Sequence, residues 1–171
     1  HGEDGTIQGL FQLAGIPFVG CNMISSANCM DKEMTHTILE ANGIKMAKWV
    51  IVNGEKMNDF ENFAKDAEEK LGYPMFVKPA NAGSSVGVGK AHNREELKSA
   101  CETALKEDYK AVVEECIEMQ EVETAVLGNG DPKAAGVVGE LVPVVEFYTY
   151  EAKYIDGTTA VSYTHLTLPT N

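Results

Sequence analysis

The stretch that most constrains how this chain can fold runs from Phe76 to Gly89, FVKPANAGSSVGVG. An apolar step, Met75-Phe76-Val77, leads into Lys78-Pro79. A small-residue loop follows from Ala80 to Ser85, and Val86-Gly87-Val88-Gly89 reads as a second short strand ending at Lys90. A strand, a small-residue loop and a strand suit the gripping of a phosphate. Gly83 lets the backbone approach a ligand closely or take a positive φ. Ser84 and Ser85 offer hydroxyls, and consecutive loop N–H groups can form an anion nest. Lys78, at a strand end beside the loop, adds a compact positive charge. The same letters also fit a β-hairpin with a Gly/Ser turn and a solvent-exposed lysine, and this stretch by itself leaves both open. Two other phosphate motifs are excluded. Gly83 to Lys90 has one residue too many before Gly89-Lys90 for a P-loop, and Ala91 stands where Ser or Thr is required. Gly87-Val88-Gly89 lacks the third glycine of a dinucleotide fingerprint and does not open a helix.

Charge narrows the possible ligands. The 171 residues carry a formal net charge of −12, which argues against general binding to nucleic acid or anionic membranes. An anionic nucleotide can still bind where lysines are placed locally, which gives weight to Lys32, Lys78 and Lys153. At 44% hydrophobic residues, the chain is expected to fold as one or two small domains. Cys21, Cys29, Cys101 and Cys116 show no C-x-x-C spacing and read as small buried or semi-buried thiols in a reducing compartment. His1, His36, His92 and His165 form no metal-ligand pattern. No apolar run is long enough to cross a membrane. No secretory signal is visible in a sequence that opens at His1 rather than at a start methionine.

Periodicity predicts a helix through Ile7, Leu10, Phe11 and Ala14, capped by Asp4 or Thr6 and stopped by Gly15. Phe18 to Gly20 reads as a brief strand or extended link. One helix is expected from about Ala27 to Asn42, where Lys32 by itself reads as a solvated side chain. Lys48 to Val52 reads as a strand. Phe60, Phe63, Ala64, Ala67 and Leu71 form the stripe of a helix ended by Gly72-Tyr73-Pro74. Asn93 and Glu96 suggest a capping box before the stripe Leu97, Ala100, Cys101, Ala104 and Leu105. Strands are expected at Ala111–Cys116, Val122–Leu127 and Ala135–Val145. A tight turn is expected at Gly128–Asp131, and an edge or bulge near Pro143. The mixture of helical and short-turn connections points to an α+β fold, with a largely antiparallel sheet and flanking helices.

Two further stretches carry chemistry. Glu114, Glu115 and Glu118 follow an apolar strand, with Glu121 and Glu123 soon after. Carboxylates there can accept from an adenine amino group or ribose hydroxyls, or can simply form an acidic, solvated connector. Phe147 to Tyr154, FYTYEAKY, packs three tyrosines and a lysine into an irregular segment. It is either a loop over a site or an aromatic surface loop. A tyrosine near a phosphate lysine could donate a hydrogen bond or relay a proton.

Taken in this order, GEDGTIQG (Gly2 to Gly9), MDK (Met30 to Lys32), FVKPANAGSSVGV (Phe76 to Val88), VVEE (Val112 to Glu115) and YEAKY (Tyr150 to Tyr154) resemble the D-alanine–D-alanine ligase family of ATP-grasp enzymes. The resemblance spans about Gly2 to Thr158. It implies an incomplete, ATP-grasp-like α+β fold. Residues 1–30 would be the end of an N-terminal substrate domain and 31–159 a nucleotide-binding region. Within that region, a central subdomain would cover about 44–113, before the start of a C-terminal subdomain. The implied reaction joins two D-alanines at the expense of ATP, through an acyl phosphate, for peptidoglycan synthesis. The implied partners are D-alanine, ATP and magnesium, with manganese as an alternative. Nucleic acid and membrane are not implied, while a homodimer and a bacterial cytoplasm are.

Carried over by motif, Lys32, Lys78 and Lys153 would contact ATP phosphates, and Gly83, Ser84 and Ser85 would close over them. Glu114, Glu115 and Ile117 would line the adenine pocket, and Glu121 would take the ribose. Ser84 and Tyr154 would hydrogen-bond to close the lid, and Tyr154 favours the dipeptide over the depsipeptide product. Glu3 would lie near the first substrate.

The sequence departs from the family pattern in three places. It opens only at the last motif of the N-terminal domain, without the glutamate expected to bind the first substrate's ammonium, and His1-Gly2 fits the pattern only with a deletion. The family's C-terminal part, with its magnesium ligands and an arginine for the tetrahedral intermediate, is expected beyond the other end. Residues 160–171, AVSYTHLTLPTN, match nothing expected after YIDGTT and read as a foreign or disordered tail. The piece alone is therefore expected to be inactive. A nucleotide-binding piece without catalysis, and another ATP-grasp carboxylate–amine ligase, are the competing readings.

Overall fold

The computed structural model describes residues 1–142 and the strand at 160–164. Two compact units divide the chain at Ile117–Glu118, and each is described by itself.

The first unit opens with α1 (Thr6–Ala14), α2 (Met23–Met30) and α3 (Lys32–Ala41). Gly5 precedes α1 at φ 88°, where a Cβ would stand 2.7 Å from the Met23 carbonyl oxygen, so only glycine fits this approach to α2. Asp4 accepts from the Thr6 N–H at 2.9 Å, and Gly15 ends the helix at φ 66°. The single helix expected over Ala27–Asn42 is two. Asn22 caps α2 through the Ser25 N–H, and the chain turns at Asp31, whose φ of −78° and ψ of 105° are not helical. The Asp31 carboxylate accepts from the N–H groups of Glu33 and Met34 and so starts α3. A short aspartate gains more as a cap than inside a helix, where it competes with the backbone. Phe18–Gly20 forms no strand.

After β1 (Trp49–Asn53) comes α4 (Gly54–Asn58), capped by Asn53 and absent from the sequence reading. Then follow α5 (Phe60–Leu71), β2 (Met75–Pro79), β3 (Gly89–Ala91), α6 (Arg94–Glu107) and β4 (Lys110–Glu115). The four strands form one antiparallel sheet in the order β1-β4-β2-β3. Asn93 caps α6 and Glu96 reaches back to the His92 N–H, a close relative of the expected capping box.

Register and pleat sort the sheet's side chains onto two faces. Val52, Met75, Val77, Ala91, Ala111 and Val113 pack with Phe60, Phe63, Ala64 and Ala67 of α5 and Leu97, Cys101 and Ala104 of α6. On the other face Trp49, Phe76 and Lys90 stand in one cross-strand row with Glu114, and Lys78 pairs with Val112 one step along. The strand expected at Val86–Gly89 is displaced to Gly89–Ala91. Ser84, Ser85 and Gly87 take φ of 51°, 59° and 68°, which no β ladder accommodates. A Cβ at Gly87 would meet Pro79 and Glu107 side chains at 2.9 Å, so the tight return of the loop depends on glycine there.

The second unit holds β5 (Glu121–Glu123), β6 (Val126–Leu127), β7 (Lys133–Ala134), β8 (Val138–Val142) and β9 (Ala160–Thr164). β5-β8-β9 form one antiparallel sheet and β6-β7 a two-stranded ribbon. The strand expected over Val122–Leu127 is split, and the Thr124 hydroxyl at the break donates to the Val137 carbonyl at 3.2 Å. The strand expected from Ala135 begins at Val138. Residues 160–164, set aside in the sequence reading, pair with β8. The expectations at Pro143 and over Phe147 to Tyr154 lie outside the described residues. Among the described residues no helix is long and apolar enough to cross a membrane.

Candidate functional site

The face of the first sheet turned away from α5 and α6 carries a cluster of charge. Lys78 Nζ lies 2.5 Å from Glu114 Oε2, with side chains 31% and 10% exposed. Lys78 also lies 5.8 Å from the centre of the Phe76 ring, and Lys90 5.6 Å from the same ring. Glu114's second oxygen is 3.4 Å from His36 Nε2. The His36 ring is tilted against Trp49 at 5.3 Å between centroids, and its Nδ1 is buried without a hydrogen-bond partner. Burial pushes the His36 pKa down, and the ammoniums of Lys78 and Lys32 reinforce this against the pull of Glu114 and Glu40.

Lys32, the first residue of α3, sits where that helix meets the loop after β2. Its backbone N–H donates to the Ala80 carbonyl at 3.0 Å. Its ammonium donates to the carbonyls of Pro79 at 3.0 Å, Ala80 at 3.4 Å and Ala82 at 2.6 Å. Burial lowers the Lys32 pKa and the Lys78 charge lowers it further, against Glu114, Asp108 and Asp31. Two ammoniums that repel one another beside a small-residue loop make a place where an anion would be stabilised.

The loop itself is shaped for such an approach. Asn81 anchors its base, with backbone and side-chain N–H groups donating to Asp108 Oδ2 at 2.8 and 2.9 Å. Ser84 and Ser85 hold left-handed φ, a conformation that costs roughly 1–3 kcal/mol per residue and clusters at ligand clamps. Nothing stands within 4 Å of where a Gly83 Cβ would be, so that residue faces open space.

Below the loop Lys110 pairs with Asp31 Oδ2 at 2.8 Å and Glu33 Oε2 at 2.5 Å. Burial of the Lys110 ammonium is outweighed by these two carboxylates, and its pKa is raised. Burial likewise raises Asp31, but Lys110 and the Met34 and Glu33 N–H groups hold its carboxyl below the ordinary range.

Of the residues expected to act, Lys78 and Glu114 are therefore paired on one face of the sheet, and Lys32 grips the start of the loop that carries Gly83, Ser84 and Ser85. Glu115 points to the opposite face and accepts from the Lys48 N–H at 2.7 Å. Ile117 ends the first unit half exposed, and Glu3 is exposed ahead of α1. Glu121 opens β5 in the second unit. Lys153 and Tyr154 lie outside the described residues. Sequence reasoning missed His36 and Lys110. His36 follows Lys32 by four positions, so helical spacing puts both on one face, a usable signal. Lys110 carries no local signal for its ion pairs, since its carboxylate partners, Glu33 and Asp31, are 77 and more residues away.

A family model described as D-ala D-ala ligase C-terminus matches residues 38–171. The D-alanine–D-alanine ligase of Clostridium acetobutylicum is 54% identical over 155 residues, 90% of this chain and 45% of the relative. That of Acetivibrio thermocellus is 52% identical over 162 residues, 94% of this chain and 43% of the relative. Among solved structures, VanG D-Ala:D-Ser ligase from Enterococcus faecalis superposes with a TM-score of 0.80 at 39% identity, over 99% of this chain and 48% of its own. The D-alanine–D-alanine ligase from Bacillus anthracis does so at 0.74 and 36%, over 98% and 52%. The chain thus spans less than half the length of the curated relatives it matches. The helices and antiparallel sheets are the α+β arrangement of ATP-grasp ligases. With a family model matching most of its length and relatives more than half identical, the chain belongs to the D-alanine–D-alanine ligase family.

Proposed function

We propose that this chain is the nucleotide-holding part of an enzyme that joins two D-alanines at the expense of ATP, for peptidoglycan synthesis. The observation that carries the reading is geometric: the Lys32 ammonium donates to the carbonyls of Pro79, Ala80 and Ala82 at the start of a loop whose serines sit in the left-handed region, and Lys78 stands near the end of the strand that leads into that loop. ATP supplies a phosphoryl group that activates a carboxylate toward an amine. Lys32 and Lys78 neutralise phosphate charge, and Gly83, Ser84 and Ser85 close over it. In this reading Glu114, which lies between Lys78 and the His36–Trp49 pair, accepts from an adenine amino group, with Ile117 beside the strand end; its ion pair with Lys78 supports the reading. Glu121, Lys153, Tyr154 and Glu3 keep the roles given by the family pattern, as do the homodimer and the bacterial cytoplasm, whereas the Glu115 side chain, held by Lys48 on the opposite face, does not line the adenine pocket. Among the described residues no group of three or more His, Cys, Asp or Glu is placed to hold a metal ion, so magnesium has no ligand set among them.

The test is calorimetry of ATP binding to this chain beside Lys78→Ala, followed by phosphate release with D-alanine, D-serine or D-lactate as acceptor. Binding that Lys78→Ala abolishes supports the site. No binding by a demonstrably folded chain would confine the nucleotide function to a longer protein. Binding without phosphate release would favour a nucleotide-binding piece without catalysis, and turnover with D-serine alone would overturn the D-alanine acceptor.

A further inference from the structure

We propose that Lys110 is a positioning residue for Lys32, holding the start of α3 through its ammonium and the loop that Lys32 grips through its carbonyl; the proposal rests on the nucleotide site proposed above. Lys110 opens β4, and its side chain is only 10% exposed. Its ammonium spans Asp31 at 2.8 Å and Glu33 at 2.5 Å. Asp31 Oδ1 meanwhile accepts from the Glu33 and Met34 N–H groups at 3.0 and 3.2 Å, so one carboxylate both caps α3 and ties it to the sheet. The Lys110 carbonyl accepts from the Ala80 N–H at 3.1 Å, and the Ala80 carbonyl accepts from the Lys32 N–H at 3.0 Å. The links close a ring: Lys110 to Asp31 through side chains, Asp31 to Lys32 through the chain, Lys32 to Ala80 and Ala80 to Lys110 through the backbone. The carbonyls that receive the Lys32 ammonium belong to Ala80, a member of that ring, and to Pro79 and Ala82 close to it in the chain.

A buried ion cluster that served stability alone could be replaced by apolar side chains of similar volume with little loss. What such side chains could not supply is registry between the first residue of α3 and the carbonyls after β2. Arg94 offers the contrast. It joins Glu68 and Glu61 of α5 to α6, on the helix-covered side of the sheet, and touches nothing in the loop.

The experiment compares Lys110→Met, Lys110→Arg, Asp31→Asn and, as control, Arg94→Met in this 171-residue chain. Acetylation of Lys32 by acetic anhydride is followed by mass spectrometry, and ATP affinity is measured by calorimetry. Lys110→Met is expected to raise the Lys32 acetylation rate several-fold and to weaken ATP binding about ten-fold or more, as small misplacements of a ligand-binding group do. Lys110→Arg should keep both near wild type, because arginine can span the same two carboxylates. Arg94→Met should lower Tm and move neither. Folded Lys110→Met with unchanged Lys32 acetylation overturns the proposal, as does an equal rise in Arg94→Met. Should Lys110→Met not fold, Asp31→Asn decides in its place, since asparagine still caps a helix but loses the charge pairing. Its Lys32 acetylation must rise, and an unchanged rate overturns the proposal. A wild-type chain that binds no ATP sinks the nucleotide reading, whereas the acetylation comparison still decides the role of Lys110.

Discussion

The two faces of the first sheet come from the same strands, yet they are built on opposite principles. The face under α5 and α6 is a continuous apolar layer in which Val52, Met75, Val77, Leu97 and Val113 are fully buried. The opposite face places Lys78, Glu114, His36 and Lys32 within reach of one another and leaves a buried imidazole nitrogen unpaired. Burying charge is costly unless partners are supplied. The first face therefore holds the fold, while the second holds an arrangement that folding alone would not favour. The repelling lysines and the left-handed serines are the marks of that second task.

The sharpest break of this contrast would be on the apolar face. Leu97→Ala is expected to destabilise the chain by about 2–5 kcal/mol, because it opens a cavity in a fully packed layer. Urea unfolding would measure it, and the ATP affinity of the molecules still folded should not change. An affinity loss as large as the stability loss would mean the two faces are not separable.

Next in size is the polar face itself. Glu114→Gln removes the carboxylate between Lys78 and His36 and leaves the Lys78 ammonium without its ion-pair partner, at a cost of about 1–3 kcal/mol where a half-buried charge loses its partner. Lys78→Met should do something the apolar face cannot show. With one repelling ammonium gone, the His36 pKa should rise, as followed by imidazole resonances in an NMR titration.

A smaller effect is expected from pH. The His36 pKa is depressed from 6.5 in the folded chain, so below that value the unfolded chain binds a proton that the folded chain refuses. Stability should therefore be full above pH 6.5 and fall as the pH drops from there toward the folded pKa. His36→Gln should flatten that part of the profile. Lys110 acts at the other end. Its raised pKa gives stability that is complete below the unfolded 10.5 and is lost as the pH rises through the folded value.

The smallest effect is chemical. Burial pushes the Cys101 thiol up to about 12, so at pH 8 it should resist alkylation until the chain unfolds, while Cys21 and Cys29, exposed where buried or semi-buried thiols were expected, react at once. Rapid labelling of Cys101 in the folded chain would contradict a tightly closed apolar face.

The stripes of α5 and α6, the strands β1, β2 and β4, the Asn93 cap and the stop at Gly15 were legible because each is written within a few neighbouring residues. Lys78 and the serine loop were visible for the same reason. The break at Asp31 was not, because an aspartate within a helical run reads as an interior residue as well as a cap, and the lysine that also holds its carboxylate lies far along the chain. Nor was the length of β3, since the positive φ values of Ser84 and Ser85 are set by where the loop must return.

By itself, the sequence determined which residues are apolar at helix or strand spacing, and hence the helix-covered face, the α+β class and the family motifs in their order. Only the tertiary structure decided that Lys32 leaves solvent for three carbonyls, that Glu114 is shared between Lys78 and His36, and that Lys110 ties α3 to the loop. The physical reason is range. Hydrophobic periodicity is a property of adjacent turns, whereas a buried charge is tolerated only through partners that the folded chain brings from elsewhere in the sequence.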